Sequence, residues 1–242
     1  MNDLETVISE NSDPLPERSS NVSAEKLCLI HKNCVPMVAD YETRWKTVPR
    51  FRLASCLIHK SMSTVLSGLM CFLQKAEQYK RENLNITDFE ASKELCPSNS
   101  YHNFENITKM FWKLGWKYFI VTRDPIDRFL SVGFEDRHFY PQTWRCQMRE
   151  HASEYKFIKY SSDPSESVIP ALVEVLEQQK VPKSYIDWIK TQLVTQRTDH
   201  STINSEARKF LEKRLHSSPY LLELLVRLFY QDYKILGYEL PF

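Results

Sequence analysis

Apolar residues recur along the chain with two different periods, and stretches of the two periods alternate. Short apolar runs at residues 51–59, 117–122 and 155–160 are rich in aromatic and β-branched side chains and predict buried strands. Apolar residues at helical spacing predict helices over residues 65–82, 103–114, 164–179, 183–195, 205–216 and 219–236. Residues 1–48 are polar and contain several prolines, which predicts a partly disordered lead-in before a domain that covers residues 49–242.

This alternation of strands and helices favours an α/β fold. Strands separated by helices build a largely parallel sheet with helices on its faces, and the C-terminal half of this chain is expected to be rich in helix. Ligands of such sheets bind at the carboxyl ends of the strands. The residues that follow each predicted strand are therefore the first candidates for chemistry.

The first candidate is the junction HKSMST between the strand at residues 51–59 and the helix after it. Lys60 leaves the strand, Ser61 follows it, and Ser63 or Thr64 is a plausible N-cap of the helix. A helix N-terminus presents backbone N–H groups and the positive end of its dipole, so it attracts anions. The lysine and the hydroxyls add further donors.

The second candidate is the junction TRDP after the strand at residues 117–122. Arg123 ends the strand, Asp124 and Pro125 occupy favoured N-cap and first-turn positions, and Arg128 and Ser131 follow on the predicted helix. An arginine can bind a phosphate with two parallel hydrogen bonds, which a lysine cannot do. This junction is therefore a second candidate anion site.

Each junction alone has an equally ordinary structural interpretation, as a solvated loop or a capped turn. Two such junctions at the ends of two strands in one sheet favour a ligand with two separated anionic groups. An ATP-type phosphate loop needs glycines at fixed positions, and none of the four glycines lies in HKSMST. A kinase-like phosphate-transfer enzyme is therefore the less favoured alternative.

Composition restricts the class of protein further. The chain has 32 basic and 31 acidic residues, so it lacks the basic excess of a general nucleic-acid binder. Six cysteines occur singly, without zinc-type spacing, which leaves both buried thiols and disulfides open. Sequons at Asn21, Asn85 and Asn106 are compatible with a secretory route. No apolar stretch reaches the ~20 residues of a membrane span. The first residues lack the pattern of a signal peptide, so a cytoplasmic location is also open.

Both junctions resemble motifs of one enzyme family. CLIHKSMSTVLSGLMC is similar to the 5′-phosphosulfate loop of sulfotransferases that use 3′-phosphoadenosine 5′-phosphosulfate (PAPS), and VTRDPIDRFLSVGF is similar to their 3′-phosphate motif RDPxxRxxSxF. EDRHFYPQTWRC with YKFIKYSS, and the later YQDYKILGY, resemble segments of Golgi carbohydrate sulfotransferases of the chondroitin 4-sulfotransferase and HNK-1 type. The resemblance covers roughly residues 51–238, with His59 and Met62 where proline and glycine are usual.

The resemblance implies a P-loop-like PAPS sulfotransferase fold and transfer of a sulfuryl group to a hydroxyl of a chondroitin-like glycan or proteoglycan. It implies a location in the Golgi lumen or membrane. It also implies two sets of PAPS ligands: Lys60, Ser61, Ser63 and Thr64 at the 5′-phosphosulfate, and Arg123 and Ser131 at the 3′-phosphate.

Sulfuryl transfer needs a group that stabilises the leaving phosphate and a base that takes the acceptor's proton. Lys60 is the candidate for the first role and His138 for the second, because a neutral imidazole is available near pH 7. An equally ranked alternative is that His138 only packs beside Phe139 and Trp144. His200, Asp136 and Glu135 are further candidates for the base, and no metal is expected.

Two departures from the family pattern bear on activity. Family members carry an N-terminal membrane anchor, which this sequence does not show, and a longer segment between the serine of the 3′-phosphate motif and the following histidine. Only VGFEDR separates Ser131 from His138. A catalytically impaired protein that still binds PAPS, or serves as a scaffold, is therefore the alternative function.

Overall fold

The computed structural model describes residues 28, 34–38, 41–110, 115–131, 138–161, 163–195 and 206–241. Its strands are β1 (Trp45–Val48), β2 (Leu53–Cys56), β3 (Ser100–Tyr101), β4 (Lys117–Arg123) and β5 (Lys156–Tyr160). Its helices are α1 (Ser63–Arg81), α2 (Phe89–Leu95), α3 (Phe104–Met110), α4 (Pro125–Phe129), α5 (Met148–His151), α6 (Val168–Gln178), α7 (Lys183–Thr195), α8 (Glu206–His216) and α9 (Pro219–Leu236). Short 3-10 turns are formed by Pro49–Phe51, Pro97–Asn99, Gln142–Trp144 and Ala152–Glu154.

The strands form one sheet in the order β3-β1-β2-β4-β5. Strands β2, β4 and β5 are parallel, as the alternation of strands and helices predicts, so the α/β fold class is confirmed. Strands β1 and β3 add an antiparallel edge that the sequence analysis did not predict. The carboxyl ends of β2 and β4 therefore lie side by side at one edge of the sheet.

Strand β1 lies within residues 1–48, which the sequence analysis assigned to the lead-in. All four of its residues are buried, and two of them, Lys46 and Thr47, are polar. The Lys46 ammonium donates to Asn99 Oδ1 at 2.8 Å, which satisfies a charge that the hydrophobic pattern would place at the surface. The expected disorder of the lead-in concerns mostly residues that lie outside the described ones.

Alternate residues of the central strands pack into two hydrophobic layers. Leu53 and Phe119 face a layer formed with helices α1, α6 and α7. Ala54 and Ile120 face the opposite layer, where Trp45 and Phe104 pack with residues near α5 and the end of α9. This two-residue period is that of a sheet covered on both faces. The helices thus hold the sheet rigidly beneath the loops at its carboxyl edge.

Three disulfides resolve the alternative that the cysteine count left open. Cys56–Cys146 joins the end of β2 to the segment before α5, Cys71–Cys96 joins α1 to the end of α2, and Cys28–Cys34 closes a short N-terminal loop. All six cysteines of the sequence are paired in these bonds. Among the residues that the structure describes, no helix is both long enough and apolar enough to cross a bilayer.

Candidate functional site

The loop between β2 and α1 has an unusual backbone. Lys60 and Met62 have φ angles of 64° and 61°, the left-handed region that residues other than glycine rarely adopt. Met62 is the N-cap of α1 and makes no side-chain cap hydrogen bond. The expectation of Ser63 or Thr64 as N-cap is therefore wrong, because the left-handed turn at Met62 starts the helix one residue earlier.

The first turn of α1 consequently keeps donors for a ligand. Ser63 and Thr64 lie in this turn and are half-buried, and Lys60 is also half-buried at its entrance. The first N–H groups of any α-helix have no partner within the helix. With no cap from Met62, they form a natural position for an anion.

The junction after β4 is built as predicted around an aspartate cap. Asp124 Oδ1 accepts hydrogen bonds from the amides of Ile126 and Asp127, both at 2.9 Å, and Pro125 opens the helix. The cap fixes the direction in which the chain leaves β4. Arg123, the last residue of that strand, is buried, and its guanidinium lies 5.3 Å from the centre of the Tyr160 ring on the neighbouring strand.

The two junctions are in direct contact. Arg123 Nη1 donates to the carbonyl oxygen of Lys60 at 3.5 Å, and Arg128 Nε donates to the carbonyl oxygen of His59 at 3.0 Å. The structure therefore brings together the lysine and the arginine that the sequence analysis assigned to one ligand. It also shows that the second junction holds the backbone of the first.

Gln142, which is not among the predicted site residues, forms hydrogen bonds with both junctions. It is fully buried, its Oε1 accepts from the Arg123 amide at 3.0 Å and from Ser61 Oγ at 3.3 Å, and its Nε2 donates to the Arg123 carbonyl at 2.7 Å. Ser61, a predicted ligand, is itself buried, and its hydroxyl is directed toward Gln142. No sequence signal marks this glutamine, because its partners are distant in the chain.

A buried carboxylate fixes Gln142 in turn. Asp232, on α9, is fully buried and accepts from the amides of Gln142 at 2.8 Å and Thr143 at 2.9 Å, and from the Thr143 hydroxyl at 2.7 Å. Burial raises the pKa of Asp232, while these hydrogen bonds and the nearby Arg128 oppose the rise. Helix α9 thereby fixes the backbone at Gln142 and Thr143. No pattern in the sequence predicts this contact.

The electrostatics of the site favour an anionic ligand. Burial lowers the pKa of Arg123, and burial lowers the pKa of the fully buried Arg128 to about 10, which leaves Arg128 charged at neutral pH. Arg123 Nε is buried and makes no hydrogen bond with the described residues. A buried donor without a partner is costly unless a ligand supplies an acceptor.

The remaining described residues that were predicted for the site, Ser131 and His138, contact residues of the two junctions. Ser131 is buried, and its hydroxyl donates to the Arg128 carbonyl at 2.7 Å, at the turn that ends α4. His138 is half-buried and its ring lies against the ring of His59, whereas Phe139 packs on Phe129. Three candidates for the base, Glu135, Asp136 and His200, lie outside the described residues. Within the described ranges, no group of three or more His, Cys, Asp or Glu side chains could hold a metal ion.

Comparison with known proteins shows which family the chain is similar to. The model of the Sulfotransferase family matches residues 43–134 and 132–239. Two similar proteins, both from Caenorhabditis elegans, are 30% identical to the chain: the uncharacterized protein C18B2.2, over 98% of this chain and 81% of its own length, and the putative sulfotransferase vep-2, over 87% and 81%.

A third similar protein, the carbohydrate sulfotransferase chst-1 of the same organism, is 23% identical over 90% of this chain and 82% of its own length. No solved structure matches the chain. The family match extends over the sheet, both junctions, Gln142 and all of α9, so it includes every described element of the candidate site. The chain therefore belongs to the sulfotransferase family.

Proposed function

We propose that the protein transfers a sulfuryl group from PAPS to a hydroxyl of a chondroitin-like glycan. The observation that carries the proposal is the contact between the Lys60 loop and Arg123, which joins two anion sites at neighbouring strand ends. The glycan acceptor is supported by the similarity to chst-1, a carbohydrate sulfotransferase, and by the resemblance of the segment after His138 to chondroitin-type enzymes.

The residues present fit a nucleotide that carries phosphate groups at the 5′ and 3′ positions of its ribose. Lys60, Ser63 and Thr64 would hold the 5′-phosphosulfate at the uncapped N-terminus of α1. Arg123 would hold the 3′-phosphate, which gives its buried Nε an acceptor. Ser131 would join it by rotating its hydroxyl away from the Arg128 carbonyl. Ser61, whose hydroxyl donates to Gln142 Oε1, would hold the Lys60 loop in position for the 5′-phosphosulfate.

The bound nucleotide supplies an activated sulfuryl group, and the protein supplies position and charge. The acceptor oxygen forms a bond to sulfur in line with the bond to the 5′-phosphate oxygen, which breaks. The Lys60 ammonium stabilises the negative charge that develops on the leaving phosphate. A nitrogen of His138 takes the proton of the acceptor hydroxyl. Holding donor and acceptor together removes most of the entropic cost of their encounter.

A binding comparison tests the donor site without requiring an acceptor. We expect adenosine 3′,5′-bisphosphate (PAP) to bind at least about tenfold more tightly than ADP, because only PAP places a phosphate at Arg123. Arg123→Ala should remove this preference, measured by calorimetry or thermal shift. Arg50→Ala is the matched control, since Arg50 is exposed at the opposite end of β2. Equal affinity for PAP and ADP in the wild-type protein contradicts the donor assignment, and magnesium-dependent ATP binding favours phosphate transfer instead.

A transfer assay separates the active enzyme from its alternative. The purified protein is incubated with labelled PAPS and a panel of desulfated glycans, and we expect incorporation into chondroitin. Lys60→Ala should lower kcat by at least about a hundredfold while PAP still binds. PAP binding without incorporation into any glycan supports the catalytically impaired PAPS-binding protein or scaffold, whose motivation is the short segment between Ser131 and His138.

We place the protein in the lumen of the secretory pathway, where Golgi carbohydrate sulfotransferases act. Its three disulfides support this location, because such bonds persist in oxidising compartments and are rare in the cytosol. Asn106 is exposed in its sequon, whereas Asn85 is half-buried with its side-chain oxygen bonded to Thr87. Expression with a secretion signal should therefore give a glycosidase-sensitive mass shift that Asn106→Gln reduces. An unshifted secreted protein contradicts modification at Asn106.

A further inference from the structure

Two histidines from different elements lie ring on ring beside the proposed donor site. His59 comes from the loop after β2, and His138 from the segment after α4; their ring centroids are 4.5 Å apart with an interplanar angle of 39°. Arg128 holds the backbone of both, because its Nε donates to the His59 carbonyl at 3.0 Å and its Nη2 to the His138 carbonyl at 2.7 Å. One fully buried side chain thus fixes the spacing of the histidine pair.

The surroundings of His59 combine one carboxylate with several cations. Glu42 Oε2 lies 3.8 Å from His59 Nε2 and 3.3 Å from Nη1 of the fully buried Arg145. Arg44 approaches the other oxygen of Glu42 at 3.9 Å. Glu42 and Arg44 lie in the segment before β1, and Arg145 lies in the segment before α5. Arg128, on α4, contacts the backbone of His59.

Burial, and then the nearby cations, keep His59 uncharged at neutral pH. Burial lowers the pKa of His59 to about 4, with further lowering by Arg145, His138 and Arg44, against which Glu42 acts. Because His59 is neutral, it does not repel a positive charge on the neighbouring ring of His138. Two charged rings at 4.5 Å would repel each other, so the pair can hold one proton far more readily than two.

We propose that His59 is the positioning partner of His138, and that the pair takes up a single proton, on His138, from the acceptor hydroxyl. This inference rests on the function proposed above and deepens it. In the step, the acceptor O–H bond breaks as its oxygen bonds to sulfur, and the proton forms an N–H bond on His138. The His138 imidazolium then lies against the neutral ring of His59, with the rings tilted by 39°, and returns its proton to solvent after the product leaves.

The position of His59 gives the proposal its geometric basis. His59 directly precedes Lys60, whose ammonium is proposed to stabilise the leaving phosphate, so ring and cation share one loop. A contact between His59 and His138 therefore places the proton acceptor beside the same loop. Proline, which the resembling enzymes usually have at this position, offers no aromatic surface for such a contact.

Imidazole NMR on the whole protein with PAP tests the pair independently of transfer. His59 is assigned by the loss of its signals in His59→Phe, and His138 by their loss in His138→Gln. We expect His59 to stay neutral until about pH 4 and to titrate at higher pH in His138→Gln, because a positive neighbour is lost. His59 titrating near its ordinary value, with no change in His138→Gln, overturns the proposed coupling.

Transfer kinetics test the role of the pair. His59→Phe keeps an uncharged ring against His138, so it should lose less kcat at pH 7 than His59→Lys and leave the acidic limb of the pH profile in place. His59→Lys places a fixed charge beside His138, so kcat at pH 7 should fall at least about tenfold and the acidic limb of the pH profile should move to lower pH. His216→Phe and His216→Lys, at an exposed site on α8, are matched controls that should leave both quantities unchanged.

The outcomes separate the inference from the function on which it rests. A loss of kcat in His59→Lys that is equal at every pH indicates a structural defect and overturns the proton role. Wild-type protein that transfers nothing to any glycan overturns both the function and the proton role, while the NMR titration still decides whether the two rings are coupled. Normal transfer with an unshifted pH profile in His59→Lys overturns the inference alone.

Discussion

At the scale of single residues, the site is organised by side chains that bind backbone rather than ligand. Arg128 and Gln142 are both fully buried, and their hydrogen bonds go mainly to backbone groups of the two junctions. A lysine at residue 128 could not make both carbonyl contacts, since these use two nitrogens of one planar fork. The arginine of the RDPxxRxxSxF motif therefore has a structural task here that the motif alone does not reveal.

Gln142 offers a direct test of this organisation. Gln142→Ala removes the acceptor of the Arg123 amide and the partner of Ser61, so we expect about 1–3 kcal/mol of lost stability and PAP affinity lowered about tenfold. Chemical denaturation and calorimetry measure the two effects. Gln178→Ala, at an exposed position on α6, is the control. Unchanged PAP affinity in Gln142→Ala would show that the junctions hold their geometry without this bridge.

The protonation of His59 predicts a pH dependence of folding. Its pKa is about 4 in the folded protein and near 6.5 when unfolded, so the unfolded chain binds a proton between these values that the folded chain does not. Stability should therefore decrease as pH falls from about 6.5 to about 4, by on the order of 3 kcal/mol from this group. Urea unfolding at several pH values measures the effect.

His59→Phe isolates that contribution, because phenylalanine keeps a ring at this position but takes up no proton. The difference in unfolding free energy between wild type and His59→Phe should change steadily over this pH range and be constant above pH 7. A pH-independent difference would mean that His59 is as readily protonated in the folded protein as in the unfolded one.

At the scale of elements, α1 packs so closely on the following loop that one position requires glycine. A Cβ on Gly68 would lie 2.2 Å from the carbonyl oxygen of Ile86, a backbone atom that cannot move aside easily. Gly68→Ala should therefore destabilise the fold by about 1–3 kcal/mol, despite the higher helix propensity of alanine. Thermal and urea unfolding test this.

Ser67→Ala, at the preceding residue of the same helix, is the matched control for Gly68. It removes atoms rather than adding them and breaks a long 3.5 Å contact with Ser92, so its cost should stay below about 1 kcal/mol. A Gly68→Ala protein as stable as wild type would contradict the close approach of α1 to residue 86.

The elements also show where prediction from sequence succeeds. Helices α7 and α9 begin and end at the predicted residues, because a periodic stripe of apolar residues marks each of them. Ser218 and Gly237 also cap the two ends of α9. Strand β1 escaped prediction because its two polar residues are buried with partners far along the chain. The N-cap of α1 escaped because the left-handed turn at Met62 depends on loop geometry rather than on the capping preference of serine.

The same distinction applies to the site. The proximity of Lys60 and Arg123 could be predicted from sequence, because both lie at the carboxyl ends of strands that the fold class places side by side in one sheet. Gln142 and Asp232 could not, since their roles arise from hydrogen bonds that span 81 and 90 residues of chain. The pairing of His59 with His138 similarly depends on Arg128, which lies between two loops in space.

At the scale of the whole molecule, one disulfide fastens the site to the sheet. Cys56, at the end of β2, is bonded to Cys146, close to Gln142, across 90 residues of chain. Replacing both cysteines by alanine should lower stability by about 4–5 kcal/mol, because a long closed loop restricts the unfolded chain most. Equilibrium denaturation at fixed pH measures this loss.

The short disulfide provides the comparison for this prediction. Cys28–Cys34 closes a loop of only six residues, so removing it by two alanine substitutions should cost about 2 kcal/mol. PAP affinity should fall with loss of Cys56–Cys146 and not with loss of Cys28–Cys34, which lies before the sheet. Equal losses of stability in both variants would show that closure of the long loop is not what stabilises the fold.

The hydrogen bond from Arg123 to the Lys60 carbonyl has a consequence for ligand discovery. An anion that draws the Arg123 side chain toward itself would also alter the loop that we propose binds the 5′-phosphosulfate, so we expect the two halves of the proposed site not to fill independently. Small fragments that carry a single phosphate should therefore bind poorly, even at high concentration. A compound that links both ends should gain more free energy than the sum of its fragments, and inhibitor design should start from intact bisphosphates.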